Sequence, residues 1–254
     1  MQKPIEFKNN KSITLRGFVH KPRKYDAVVI VLHGFPGRCN SDRVIKTCKH
    51  LQRLGYLALR FDFSGTNISD GNFEDKLMSQ EVKEIKYAID FLEKNYKFKK
   101  LVLYGHSTGA IDAALYAYKD KRIDKLILSG GSANLKESAR YDFTDEQVRN
   151  FWTKGYIIYK RRGWYYNKRL RKAFYDEFFR LDVLGSLGKF KGPVLIIHGT
   201  EDEYVPAKKD PYEYYRAANK PKKLVFINGS DHSFKKPKYL KEVIKHIDEF
   251  IKKR

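Results

Sequence analysis

A serine flanked by glycines, Ser107, lies in the pentapeptide GHSTG at residues 105–109, between the apolar run LVLY and the helical pattern AIDAALYAY. Glycines on both sides allow a turn tight enough to hold a serine above the edge of a sheet, at the N-terminus of a helix. The position of the motif between a strand and a helix favours this role over an ordinary turn capped by serine. The context therefore predicts that Ser107 is a nucleophile.

A serine hydroxyl is a poor nucleophile at neutral pH, so Ser107 needs a base within hydrogen-bond reach and a group that orients the base. His232 is the predicted base, because it lies on a loop between the last predicted strand and the last predicted helix. The other histidines are explained by backbone geometry at strand ends or by positions in a hairpin and in helices. An acidic triplet, Glu201, Asp202 and Glu203, follows the preceding strand. We favour Asp202 as the orienting acid, although periodicity alone does not exclude its neighbours.

The negative oxygen of a tetrahedral intermediate needs preorganised hydrogen-bond donors. One predicted donor is the backbone N–H of Thr108, the residue after the nucleophile. The second is the backbone N–H of Phe35, in the segment VLHGFPGRC, where Gly34 and Gly37 let the backbone approach closely. These groups together predict acyl transfer by a serine nucleophile.

The order of elements along the chain predicts the sheet that must position these residues. Two alternating runs, residues 4–8 and 12–20, predict an opening hairpin. Short apolar runs rich in β-branched residues then alternate with helical patterns, which implies crossover connections and a mostly parallel α/β sheet with helices on both faces. The predicted strands are residues 28–32, 56–61, 101–104, 126–128, 194–197 and 224–227, and the predicted helices are residues 41–54, 79–95, 108–119, 210–219 and 237–252.

One connection, residues 134–192, is far longer than a usual crossover. It has 14 Lys and Arg against 7 Asp and Glu, so its net charge is close to what its length predicts from the whole chain. However, it holds 14 of the 37 aromatic residues. An aromatic excess without a comparable charge excess favours a lid over a pocket rather than a phosphate-binding track. We therefore predict a core of residues 1–133 and 193–254 with an inserted lid of residues 134–192. The predicted substrate contacts, each of which could instead belong to the lid's own small core, are Trp152, Tyr156, Trp164 and Tyr165.

The composition limits the remaining possibilities. A net charge of +22 would attract nucleic acid, anionic membranes or acidic substrates, although a lysine-rich proteome is the favoured explanation. The longest apolar run, residues 27–32, is much shorter than the roughly 20 residues that span a bilayer, and the start MQKPIEFKNN has no signal pattern. We therefore expect a cytoplasmic protein. Cys39 and Cys48 are too few for a disulfide framework or a cysteine zinc site, and no metal is predicted.

The sequence resembles the α/β-hydrolase superfamily over nearly its whole length. The resemblance is carried by HGFPG at residues 33–37, RFDFSGTNISDG at 60–71, GHSTG at 105–109, HGTEDEYVP at 198–206 and GSDHSF at 229–234, and by the chain order nucleophile, acid, base. It is most similar to small carboxylesterases related to feruloyl and cinnamoyl esterases, whose lid is inserted before the acid-bearing strand. The family pattern implies Asp202 as the acid. Residues 65–69, GTNIS, depart from the family's usual glycine-histidine-glycine-any-serine, although Asn67 is of a type that tolerates positive φ.

These observations predict a cofactor-independent serine hydrolase that cleaves carboxylic esters through an acyl-enzyme, with short-chain, medium-chain or aromatic acyl groups as candidates. The alternatives within the same chemistry are an amidase of the serine aminopeptidase type and a monoacylglycerol lipase. An alternative of another class is a basic hydrolase-fold protein that binds nucleic acid or anionic membrane. The expected partner is a small-molecule ester, with no specific nucleic acid and no membrane span, and the sequence leaves the acyl group and the oligomeric state open.

Overall fold

A computed structural model describes residues 2–160 and 162–253 of the chain. Its strands are β1 (Gln2–Lys8), β2 (Thr14–His20), β3 (Ala27–Leu32), β4 (Leu57–Phe61), β5 (Lys100–His106), β6 (Lys125–Ser129), β7 (Tyr156–Ile158), β8 (Arg169–Arg171), β9 (Val194–Gly199) and β10 (Lys222–Ile227). Its α-helices are α1 (Asp42–Arg53), α2 (Met78–Asn95), α3 (Thr108–Tyr116), α4 (Leu135–Asp142), α5 (Asp145–Lys154), α6 (Lys172–Glu177), α7 (Val183–Lys189), α8 (Asp210–Ala217) and α9 (Pro237–Lys252). The predicted strands and helices are all present, and short 3-10 turns lie at Phe73–Asp75 and Ala117–Lys119.

Eight of the strands form one sheet in the order β1-β2-β4-β3-β5-β6-β9-β10. The opening hairpin pairs antiparallel, and β2 is antiparallel to β4, whereas all neighbours from β4 to β10 are parallel. The central strands are buried on both faces, as continuous apolar runs in parallel sheets require, and β3 has no exposed residue. The predicted α/β architecture is therefore confirmed.

The helices cover both faces of the sheet with apolar stripes. On one face α1 and α9 pack against alternate residues of the strands, and Val29, Val31 and Ile197 belong to that core. On the other face α2, α3 and α7 pack against the intervening residues, including Ile30 and Leu103. None of the helices within the described residues is both long and apolar enough to cross a membrane.

Residues 134–192, which we call the inserted segment, connect β6 to β9. The segment begins with α4 and α5, continues through a small antiparallel hairpin of β7 and β8, and ends with α6 and α7. In the hairpin Ile157 is opposite Leu170 and both are buried, whereas Ile158 and Arg169 are opposite each other and exposed. The inserted segment therefore has an apolar inner face and an exposed outer face.

The inserted segment contacts the core through α2 and through the 3-10 turn at Phe73–Asp75. Glu177 of α6 accepts a hydrogen bond from the backbone N–H of Ser79, at 3.1 Å, near the start of α2. Helix α7 differs from the other helices of the segment in its partners, because it packs against α3 and α8, with Val183 and Leu187 buried. By its contacts α7 is the crossover helix between β6 and β9. The predicted segment, which ends at residue 192, therefore includes one helix that packs as part of the core.

Candidate active site

Ser107 lies in the tight turn between β5 and α3, at the carboxyl edge of the sheet. Its backbone has φ 56° and ψ −127°, a conformation that non-glycine residues rarely adopt. A Cβ atom on Gly105 would lie 2.0 Å from the carbonyl oxygen of Gly109, and a Cβ atom on Gly109 would lie 2.6 Å from that of His33. Both glycines are therefore required by close backbone contacts, and they hold Ser107 above the sheet.

The loop after β3 passes directly beside this serine. A Cβ atom on Gly34 would lie 2.7 Å from the Cβ atom of Ser107, so only glycine permits this approach. Phe35, the next residue, lines the same cavity as Ser107 and Thr108. The buried carboxylate of Asp62 accepts a hydrogen bond from the backbone N–H of Cys39 and thereby holds the far end of the loop.

Asp202 lies on the turn after β9, with its side chain fully buried. Its Oδ1 atom accepts hydrogen bonds from the backbone N–H groups of Tyr204 and Val205, at 2.9 and 2.8 Å. Its Oδ2 atom lies 2.8 Å from Nδ1 of His232 and 3.2 Å from Nε2 of His198. The turn therefore holds the carboxylate by its own backbone and leaves one oxygen for the two imidazoles.

The environment of Asp202 keeps its carboxylate ionised. Burial alone would raise its pKa, but hydrogen bonds from His198 and His232 and the N–H of Val205 lower the pKa below its ordinary value. Its neighbours in the acidic triplet do different things: Glu201 is exposed, and Glu203 accepts a hydrogen bond from the backbone N–H of His232 at 3.0 Å. Of the three acids, Asp202 alone contacts the imidazole ring of His232.

The ring of His232 is enclosed by groups from three strand ends. A Cβ atom on Gly130, which follows β6 with φ 55°, would lie 3.2 Å from Cε1 of His232. The rings of His106 and Tyr204 pack against it, with centroids 4.9 and 5.3 Å away. Burial and the nearby Arg43 hold the pKa of His106 well below its usual range, so this neighbour stays neutral.

A cavity of about 830 Å³ opens above the serine. Ser107, Thr108, Phe35 and His232 all line it, so the structure brings these predicted residues to one space. Much of its wall is apolar, and the apolar residues include Met78, Ile111, Phe143, Ile157, Phe174 and Phe178. Its polar residues include Asp142, Thr144, Glu146, Gln147 and Asn150, all from the inserted segment.

Comparison with known proteins agrees with this geometry. Residues 23–169 match the sequence pattern of the family described as serine aminopeptidase, S33. The chain belongs to this family. It is also similar to the palmitoyl-protein thioesterase ABHD10, mitochondrial, of Bos taurus, with 24% identity over 232 residues, which cover 89% of this chain and 73% of the relative.

Solved structures of two α/β-hydrolases superpose well on the chain. The structure of Est1E from Butyrivibrio proteoclasticus with ferulic acid bound has a TM-score of 0.82 at 24% identity, covering 97% of each chain. The alpha/beta hydrolase domain-containing protein 10 from mouse has a TM-score of 0.78 at 20% identity, covering 98% of each chain. At these identities the likeness establishes the fold. The predictions of an α/β-hydrolase and of a serine hydrolase are confirmed.

The four aromatic residues predicted to contact substrate divide into two pairs. Tyr156 and Tyr165 line the cavity of this S33 family member. Trp152 does not, because it lies on the outer side of α5 with 68% of its surface exposed. Trp164 also lies outside the cavity wall, where its indole N–H donates to the carbonyl oxygen of Pro36 at 2.9 Å. The structure therefore places neither tryptophan ring on the cavity wall: Trp152 is a surface group, and Trp164 holds the Phe35 loop through Pro36.

Two further contacts near the proposed chemistry were not predicted from the sequence. His198 was explained by backbone geometry, yet its Nε2 atom faces the Asp202 carboxylate and the carbonyl oxygen of Val205 at 3.1 Å. Asp142 is an exposed residue at the end of α4, and it also lines the cavity. No helix is predicted at residues 135–142, so the position of Asp142 relative to the cavity could not be predicted.

The loop at residues 65–69, which departs from the pattern of similar hydrolases, keeps a tight conformation. Asn67 adopts φ 43°, and its side-chain N–H donates to Oδ2 of Asp62 at 3.1 Å. Gly65 also has positive φ, and a Cβ atom there would lie 2.4 Å from the carbonyl oxygen of Asn72. The asparagine therefore fits the turn. Within the described residues no cluster of three or more His, Cys, Asp or Glu side chains could hold a metal ion.

Proposed function

We propose that this protein is a serine esterase in which Ser107 is the nucleophile, His232 the base and Asp202 the orienting acid. The observation that carries the proposal is the placement of a strained serine and of a histidine paired with a buried carboxylate on one cavity. The 2.8 Å contact of Asp202 with Nδ1 leaves the Nε2 atom of His232 as the proton acceptor.

In the proposed reaction the Ser107 oxygen attacks the ester carbonyl carbon while His232 takes the hydroxyl proton. The N–H groups of Phe35 and Thr108 stabilise the negative oxygen of the tetrahedral intermediate. His232 then donates the proton to the departing alcohol, which leaves an acyl-enzyme. Water attacks the acyl carbon with His232 again as base, and the acid and Ser107 are released.

The proposed substrates are esters with an aromatic or a short-chain to medium-chain acyl group. The apolar wall and the cavity volume of about 830 Å³ support this class, because such cavities bury most of a drug-sized ligand. The superposed Est1E structure holds ferulic acid, and the bovine relative is named a thioesterase. An ester panel that varies the acyl chain length and includes hydroxycinnamates and thioesters tests the class.

The decisive variant is Ser107→Ala. We expect it to lower the kcat for p-nitrophenyl ester hydrolysis by about 10⁶-fold, as removal of a serine nucleophile does, with an unchanged circular dichroism spectrum. Ser138→Ala is the matched control, because this serine is also buried but does not line the cavity, and its hydroxyl donates to the carbonyl oxygen of Leu135. Wild-type activity in the Ser107→Ala protein would overturn the assignment.

A second candidate activity is amide hydrolysis on substrates with a free amino group. It is favoured by the S33 match and by two carboxylates, Asp142 and Glu146, that line the cavity and could bind an ammonium group. Rates on an aminoacyl p-nitroanilide and on a p-nitrophenyl ester separate the two activities. If the amide is the substrate, Glu146→Gln should lower only the amide rate.

The inserted segment is proposed to act as a lid, in agreement with its position over the cavity. Chimeras in which residues 135–181 are replaced by the corresponding segment of a similar hydrolase test this role through changes in acyl preference. The cytosol remains the proposed compartment, although the bovine relative is named as mitochondrial, and fractionation of source cells with an antibody to the protein tests it.

A further inference from the structure

The positive charge of the inserted segment is concentrated in residues 151–174, which we call the basic face. This stretch has 8 Lys and Arg and no Asp or Glu. The rest of residues 134–192 has 6 Lys and Arg against 7 Asp and Glu. The inserted segment as a whole therefore has a near-average charge, but the basic face within it is strongly cationic.

Among the described residues, most of these cations have no acidic partner. Arg171 pairs with Glu74 and Asp75, and Lys172 pairs with Asp176. The side chains that form no ion pair with any residue in the described ranges 2–160 and 162–253 are Lys154, Lys160, Arg162, Lys168 and Arg169. Their charge is not balanced by a carboxylate in the described part of the chain.

Exposed apolar side chains lie among these cations. Trp152 and Tyr166 are the two most exposed large hydrophobic residues described, with 68% and 58% of their surfaces accessible, and Ile158 is exposed beside Arg169. Trp152 lies at the base of the hairpin, next to Lys172, and Tyr166 lies in its loop. Amphipathic rings mixed with lysine and arginine are typical of surfaces that bind at the headgroup level of a membrane.

The ring faces argue against a surface for nucleic-acid bases. The cations of Lys172, Arg169 and Lys168 lie over the rings of Trp152, Tyr156 and Trp164, at 4.0, 4.6 and 5.8 Å from their centroids. Base stacking needs free ring faces, and three of these faces are occupied by the chain's own cations. A lipid surface needs only the apolar edges and the charges.

The basic face is continuous with the mouth of the cavity, because Lys154, Ile158 and Lys160 are exposed and also line it. We propose that the basic face docks the protein onto an anionic phospholipid bilayer, with the cavity opening toward the lipid. The charge matches the headgroups, and the exposed rings and Ile158 match the interfacial region. This docking does not depend on the proposed ester hydrolysis.

The test is co-sedimentation with vesicles of phosphatidylcholine alone and of phosphatidylcholine mixed with phosphatidylglycerol. Protein carrying Ser107→Ala is used, so that hydrolysis cannot alter the lipid and a failure of the catalytic proposal cannot affect the result. We expect binding to the mixed vesicles to be much stronger, and to weaken as salt is raised.

Two double variants test the two components of the face. Arg162→Gln with Lys168→Gln should lower the partition coefficient by about 25-fold, since each cation near an anionic surface contributes about fivefold. Trp152→Ser with Tyr166→Ser should remove most of the binding that persists at high salt. Neither pair lines the cavity, so hydrolysis of a water-soluble ester in the Ser107 background reports correct folding.

The matched control is Lys24→Gln with Lys97→Gln, which removes the same charge from a basic cluster at the opposite edge of the sheet. It should change vesicle binding by less than about twofold, because charges more than a Debye length from the lipid are screened. Three results would overturn the proposal: equal binding to neutral vesicles, no binding to either vesicle, or an equal loss in the control. Binding of the two double variants to oligothymidylate is measured in parallel. If they lost this binding but kept vesicle binding, the basic face would be assigned to nucleic acid instead.

Discussion

The turns at the carboxyl edge of the sheet hold Asp202 and Ser107 through the backbone, whereas the inserted segment holds its aromatic residues through side chains. Asp202 receives two backbone N–H groups of its own turn, and the glycines beside Ser107 leave no room for a Cβ atom. Trp164 is held by one indole hydrogen bond and by ring contacts with Phe73 and Tyr165. Substitutions should therefore act severely in the turns and mildly in the inserted segment.

After Ser107→Ala, the largest effect is expected for Asp202→Asn. Asparagine keeps the shape but presents a neutral amide to His232, so the histidine adopts the wrong tautomer and kcat should fall about 10⁴-fold. Ester hydrolysis and thermal unfolding are measured together. Glu201→Gln, an exposed neighbour in the same triplet, should keep nearly full kcat. Similar losses in both variants would show that the acid is not held by the turn as described.

Acid should destabilise the core, because it contains buried neutral histidines. Burial and the adjacent Arg60 lower the pKa of His20 to about 4, whereas an unfolded histidine has a pKa of about 6.5. Between these pH values the unfolded chain binds the proton preferentially, so up to about 3 kcal/mol of stability should be lost as the pH falls from 6.5 to 4.

Urea unfolding at several pH values measures the slope of the unfolding free energy against pH. His20→Gln keeps a side-chain acceptor for the Arg60 guanidinium, which donates to His20 at 2.9 Å, but the amide does not titrate. Its unfolding free energy should depend less on pH over the same range. An identical slope in the variant would show that His20 is not a source of the acid sensitivity.

The Phe35 loop offers a test of close approach. In Gly34→Ala the new methyl group would meet the Ser107 Cβ atom at 2.7 Å, so the loop must retreat and the Phe35 donor with it. We expect kcat to fall about 10²-fold, as when one oxyanion donor is lost. The control is Gly188→Ala in α7, whose nearest neighbour would be 3.5 Å away. Equal activity in the two variants would contradict the packing described.

The smallest effect is expected at the two tryptophans. Trp164→Phe removes the N–H donor to Pro36 and should lower kcat about fivefold, since a typical hydrogen bond contributes about 1 kcal/mol. Trp152→Phe, at the exposed ring, should leave soluble-ester kinetics unchanged. A larger loss in Trp152→Phe than in Trp164→Phe would reverse the roles given to these two rings.

The sequence predicts the parts of the molecule that depend on local patterns. Buried strands appear as apolar runs such as residues 27–32, and the serine turn is visible because only glycine fits at residues 105 and 109. The choice of Asp202 from three acids rested on family resemblance, because the deciding contact, with a histidine 30 residues away, is not local.

The same reasoning explains what could not be predicted. Which rings face the cavity depends on the β7–β8 register, which buries Ile157 and Leu170 and is not encoded by a hydrophobic period over three-residue strands. The role of His198 depends on how the turn after β9 folds back on it. The charge average over the inserted segment concealed the basic face, because acids in α4, α5 and α6 balance cations elsewhere.

The position of α7 has a consequence for the connectivity of the core. Because α7 already makes the connection from β6 to β9, deleting residues 135–181 would leave an ordinary strand-helix-strand unit in the parallel sheet. The layered core therefore does not need residues 135–181 for its connectivity. Changes confined to residues 135–181 would therefore leave the strand ends that carry Ser107, Asp202 and His232 connected as they are.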